Sequence, residues 1–133
     1  MNRLLGIDPG RSKTGLALTD GQGDILRLHI AQTGNMEQEL QAFVKGENLE
    51  AVIMGDGTNH DAIGKAVAAV LPEVPLQLVG EAHSTEEART LYWQENPPKG
   101  WKKLVPMGLL VPSVPLDAYA AVVQIRRYLA EKL

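Results

Sequence analysis

The chain has 133 residues and a mass of 14.4 kDa, 44% of its residues are hydrophobic, and it carries a formal net charge of -3 with a pI of about 5.6. That size suits one compact domain spanning residues 1–133, and that charge excludes a protein whose whole surface attracts nucleic acid, so any such contact must be local. The absence of cysteine excludes disulfides, a thiolate zinc site and a cysteine nucleophile.

The N-terminus reaches Leu4-Leu5 and then Asp8 too soon for a signal peptide of the usual length, and no apolar run is long enough to cross a membrane. A cytoplasmic protein without membrane contact is the expectation. Alternation and turn chemistry predict strands over Arg3 to Ile7 and Gly15 to Thr19, then a hairpin turn through Asp20-Gly21-Gln22-Gly23. A third strand over Ile25 to Ile30 sets Leu26, Leu28 and Ile30 against Arg27 and His29, the pattern of a half-exposed edge.

After a loop from Gln32 to Asn35, Leu40, Phe43 and Val44 recur at helical spacing between Met36 and Lys45, and Gly46 ends the pattern. Ala51 to Met54 reads as a buried strand closed by Gly55-Asp56-Gly57, and Ala62 to Leu71 as a helix. Pro72 and Pro75 bracket the approach to Leu76-Gln77-Leu78-Val79, which reads as another buried strand. A helix follows from Thr85 to Gln94, then an irregular stretch from Glu95 to Ser113, long enough to suggest a functional flap or disorder. A last helix runs from Leu116 to Glu131 with Ala121, Ile125, Tyr128 and Leu129 on one stripe. Three hairpin-linked strands followed by alternating helix and strand describe an α/β domain, its sheet antiparallel at one edge and parallel elsewhere.

Acids stand where ligands bind in such sheets. Asp8, Asp56 and Glu81 each follow a predicted strand directly. With a strand order of 3-2-1-4-5, Asp8 and Asp56 fall on neighbours about 5 Å apart, with Glu81 roughly one strand further. Asp117, at the start of the last helix, completes the set if that helix packs over the same edge.

Crowded carboxylates repel unless cations lie between them, so such a set suits magnesium or manganese held by hard oxygen ligands. Two such ions serve phosphodiester hydrolysis, one activating water and the other stabilising the leaving oxygen. Each acid also has a plainer reading. Asp8-Pro9-Gly10 and Gly55-Asp56-Gly57 are turn sequences, Ser84 and Glu87 form a capping box beside Glu81, and Asp117 suits a first helical turn after Pro115.

Arg11 and Lys13, just after Asp8, are candidates to bind phosphate or to be simply solvated. Lys99, Lys102 and Lys103 surround Trp101, a pattern that could track a nucleic-acid backbone while the indole stacks on a base; Arg126 and Arg127 are a second basic pair. Tyr92 and Trp93 read as partly buried helix residues. His29, His60 and His83 lack metal-ligand spacing and read as surface or capping residues, with His83 close enough to Glu81 to contact a phosphate.

The run Leu5-Gly6-Ile7-Asp8-Pro9-Gly10, with Thr14-Gly15-Leu16-Ala17-Leu18 behind it, resembles the first motif of the ribonuclease H-like superfamily, in particular its RuvC and YqgF/RuvX Holliday junction resolvase-like proteins. Glu81 with Ser84-Thr85 and Glu87-Ala88 is similar to a second motif of the YqgF type, and Asp117 with Ala120-Ala121, Ile125 and Tyr128-Leu129 to its final-helix motif. Val52-Ile53-Met54-Gly55 occupies the place of the fourth strand. The resemblance covers nearly the whole chain.

It implies a ribonuclease H-like fold, a five-stranded mixed sheet of order 3-2-1-4-5 flanked by helices. Asp8, Glu81 and Asp117 would be the catalytic acids holding Mg2+ or Mn2+, and the activity a metal-dependent endonuclease acting on branched DNA or precursor rRNA. Asp56 would join them if the RuvC pattern, with an acid ending the fourth strand, applies. The chain departs from the pattern at Gly80 and Ala82, where the family has Asp and Arg, which keeps open a second reading as a weakened nucleic-acid-binding scaffold. A nucleotide-phosphate enzyme of the actin and sugar-kinase type shares the first motif but needs two such domains. A junction is two-fold symmetric, so a resolvase acting on it should be a homodimer, whereas an RNA processor could act as a monomer.

Overall fold

In the computed structural model, the structure describes residues 2–57, 59–80, 84–97 and 116–132. Five strands, β1 (Arg3–Asp8), β2 (Lys13–Thr19), β3 (Ile25–Gln32), β4 (Leu49–Gly55) and β5 (Leu76–Val79), form one sheet of order β3-β2-β1-β4-β5. β1 to β3 pair antiparallel, whereas β4 and β5 join parallel to β1 and to each other. Among the described residues the helices are α1 (Met36–Phe43), α2 (His60–Val70), α3 (Ser84–Glu95) and α4 (Asp117–Glu131), with a 3-10 turn over Thr33–Asn35. The sheet is antiparallel at one edge and parallel elsewhere, as the order of elements predicts, and its strand order is the one the resemblance implies.

The strand period of two divides the core between the faces. Leu5, Ile7, Leu16, Leu18, Val52 and Met54 bury against Leu40 and Phe43 of α1 and Ile63 and Val67 of α2. On the opposite face Leu4, Ala17, Ala51, Ile53 and Val79 meet Ala88 and Leu91 of α3 and Ala121, Val122 and Ile125 of α4. Asp8 shares its parity with Leu4 and Gly6, so its side chain falls on the α4 face.

Small residues let α4 lie close. A Cβ on Gly6 would stand 2.5 Å from the Ala121 carbonyl oxygen, and one on Gly15 would stand 2.0 Å from the Asp117 carbonyl oxygen. Real side chains never approach so closely, so glycine at both places is what allows the helix backbone to rest on β1 and β2.

Several expectations need correction. β5 is not a buried strand: Leu76 is 37% and Leu78 52% exposed, because among the described residues no further strand lies beyond it and the helices cover it incompletely. Continuous apolarity cannot tell an edge from a centre. Arg27 and His29 are exposed on the β3 edge as its alternation implies, and they also pack on α1: Arg27 lies 4.9 Å over the Phe43 ring and His29 stacks on the same ring at 5.9 Å. Both link β3 to α1, helped by ion pairs from Arg27 to Glu47 and His29 to Glu39. α1 ends at Phe43, before Lys45, and Gly46 takes a φ of 78° as a terminating glycine does. Glu95 belongs to α3, and the expected irregular stretch otherwise lies largely outside the described residues.

Candidate active site

Asp8 is the last residue of β1, and in the antiparallel register it stands opposite Gly15, the residue on which the Asp117 backbone rests. The fold therefore brings Asp8 and Asp117, more than a hundred positions apart in sequence, to one rim of the sheet. Both are half-buried. Burial pushes the Asp117 carboxyl above its ordinary value, and the positive charge of Lys13 pulls it back only partly.

The turn between β1 and β2 is held from two sides. Thr33 donates its hydroxyl to the Gly10 carbonyl at 3.0 Å, which leaves the fully buried Thr14 hydroxyl to donate to Thr33 Oγ1 at 2.8 Å. Ser12 accepts from the Thr33 backbone N–H at 3.0 Å, and Asn59, in the left-handed region at φ 71°, extends its amide to Gly10 at 3.4 Å. Arg11 and Lys13 project from this braced turn into solvent.

Asp56 follows β4 on the same rim and is exposed; its backbone N–H donates to the Val79 carbonyl at 3.0 Å, which joins the ends of β4 and β5. Among the described residues no three of His, Asp or Glu gather as a metal-holding group, so Asp8, Asp56 and Asp117 do not make one by themselves. Glu81 and His83 lie outside the described residues, as do Lys99, Trp101, Lys102 and Lys103.

The other expected residues have structural partners. His60 Nδ1 bonds the Gly57 carbonyl at 2.9 Å where α2 begins, a capping role. Tyr92 and Trp93 are buried, and Tyr92 packs edge-on against both Trp93 and Tyr119. Arg126 donates to Gly23 O, while Arg127 pairs with Glu87 and donates to Gly80 O at 2.7 Å, pinning the end of β5 to α4.

Sequence reasoning passed over Gln124. It is fully buried in α4, two helical turns after Asp117; its Nε2 donates to Asp8 Oδ1 at 3.0 Å and its Oε1 accepts from the Gly55 N–H at 3.1 Å. The available signal was a lone amide inside the apolar run Ala120-Ala121-Val122-Val123-Gln124-Ile125. A backbone N–H can only donate, so the amide oxygen must face Gly55 and the NH2 must face Asp8.

The donor set fits a hard divalent cation. It offers carboxylate oxygens rather than sulfur or paired imidazoles, the ligand type that hard cations take.

No family model matches the chain. Over 102 residues, 65% of this chain and 70% of the other, it is 29% identical to a Chlorobium luteolum protein named "Putative pre-16S rRNA nuclease". Among solved structures it is similar to Thermus thermophilus RuvC bound to a Holliday junction, with a TM-score of 0.60, 18% identity, and coverage of 99% of this chain and 96% of that one. A second Thermus thermophilus RuvC structure gives a TM-score of 0.57 at 18% identity, covering 98% and 96%. At that identity the solved structures speak for the fold. Sequence relative and RuvC-like fold together bear out the resemblance of this chain to the YqgF/RuvX-type resolvase-like proteins.

Proposed function

We propose that the chain is a nuclease that hydrolyses phosphodiester bonds in structured nucleic acid, with precursor rRNA as its substrate. The observation that carries the reading is the meeting of Asp8 with the N-terminus of α4, through the contact of Gly15 with Asp117. The relative named for pre-16S rRNA supports the choice of substrate.

Asp8, Asp117 and Glu81 would hold Mg2+ or Mn2+, with Asp56 beside them. When bound, such ions supply an activated water and charge stabilisation at the leaving oxygen. The chain's own residues do the rest. Lys13 and Arg11 meet the substrate phosphates from a turn held by Thr33 and Asn59, and a braced turn loses less freedom on binding than a loose one. Lys99, Lys102 and Lys103 would grip the backbone, with the Trp101 indole stacking on a base. The acidic whole confines attraction to these local cations, so binding should weaken steeply with salt.

Incubation with precursor rRNA and with junction DNA, first with Mg2+ and then with chelator, tests the reading. Cleavage of the RNA that chelator abolishes is the expected result. Junction cleavage instead would point to a resolvase, for which sedimentation should find a homodimer. Binding that survives chelation without any cleavage would sink the nuclease and leave a scaffold.

A further inference from the structure

We infer that Gln124 is a positioning residue, whose buried amide bridges the Gly55 N–H at the end of β4 to the Asp8 carboxylate and so fixes the orientation in which Asp8 meets a divalent cation. The inference rests on the reading of Asp8 as a metal-holding acid. Gln124 is fully buried between Val123 and Ile125 in a helix whose other buried residues are valine, isoleucine or alanine. Burying an amide costs free energy unless both ends are bonded, so packing alone would favour an apolar side chain there.

Its two bonds go to two different strands, β1 and β4. Side chains on a helix lean toward its N-terminus, which aims Gln124 back toward the rim where Asp8 ends β1. The terminal torsion of an aspartate is broad and sets no orientation of its own carboxylate. A fixed N–H donor on Oδ1 does set one, and the Gly55 bond stops the donor from turning away. Gly55 directly precedes Asp56, so the same amide links the β4 rim to Asp8.

The test measures Mn2+ binding calorimetrically on the full chain, alongside kcat and KM on precursor rRNA, for the wild type, Asp8→Asn, Gln124→Met and Gln124→Asn. Gln124→Met keeps the volume and removes both bonds. We expect it to weaken Mn2+ binding roughly 10–100-fold, as losing the support of a metal ligand does, with kcat lowered and KM for RNA unchanged. A purely structural role would lower the melting temperature and leave the Mn2+ affinity of the folded protein alone.

Should the Met variant not fold, Gln124→Asn replaces it: one methylene shorter, it cannot span both partners, and it should weaken Mn2+ binding in the same direction. Wild-type Mn2+ affinity in a folded Gln124 variant, while Asp8→Asn has lost binding, overturns the role of Gln124 alone. Wild-type affinity in Asp8→Asn overturns the site reading and this inference with it.

Discussion

Gly15 lies directly beneath Asp117: a single methyl group on that glycine would stand 2.0 Å from the Asp117 carbonyl oxygen and 2.1 Å from its carbonyl carbon. Because Gly15 is also the cross-strand partner of Asp8, the contact sets how near the two acids come. A helix that starts at this point delivers its first-turn carboxylate to the strand end, and nothing larger than glycine permits it.

Gly15→Ala should therefore push the start of α4 off the sheet. The expected cost is about 1–3 kcal/mol, the usual range for overpacking a closely fitted core. Urea unfolding reads it, with Gly34→Ala as a control, since a Cβ there meets nothing within 4 Å. Equal midpoints for the two variants would contradict the close contact. Metal binding and cleavage should fall further in Gly15→Ala than its stability loss explains.

The raised Asp117 carboxyl has a consequence for stability without metal. Burial favours its protonated form, so the folded state holds the proton more tightly than the unfolded chain does. Stability from this group then falls as pH rises from the unfolded value through the raised folded one. In chelator, Asp117→Asn should melt at a higher temperature than the wild type at pH 7, with the gap closing as pH drops below the usual carboxylate range. A lower melting temperature for Asp117→Asn at pH 7 would contradict the burial effect.

Thr33→Val removes the hydroxyl that donates to Gly10 and takes away the partner of the buried Thr14 hydroxyl. Leaving a buried hydroxyl unpaired costs about 1–3 kcal/mol. Denaturant unfolding should show that loss, and hydrogen exchange should quicken at the Thr33 amide, which bonds the Ser12 carbonyl across the turn. Unchanged exchange there would mean that Asn59 and the Thr33 backbone suffice to hold the turn.

Asp56 separates two versions of the metal site. Asp8→Asn should abolish Mn2+ binding, whereas Asp56→Asn should weaken it less, because an exposed carboxylate contributes through water and is screened. Calorimetric titration of both variants decides the point. Affinity unchanged in Asp56→Asn would take Asp56 out of the metal set and return it to turn chemistry between its two glycines.

The element order, the hairpin-then-alternating plan, and Asp8 and Asp117 as acids at element ends were legible in the residues alone. Those properties are local: period-two alternation in β1 and β2, helical spacing in α4, and the turn chemistry of Pro9-Gly10 are written in neighbouring residues. Long-range packing set the rest: β5 lies exposed at the edge, the exposed Arg27 and His29 also brace α1, and Gln124 holds Asp8. An amide amid aliphatic residues looks the same in sequence whether it is an accident or a bridge between strands, because its partners lie 116 and 69 positions away. Distances of that kind are fixed by how closely α4 rests on Gly6 and Gly15, and close approach is a property of packed surfaces, which no local pattern encodes.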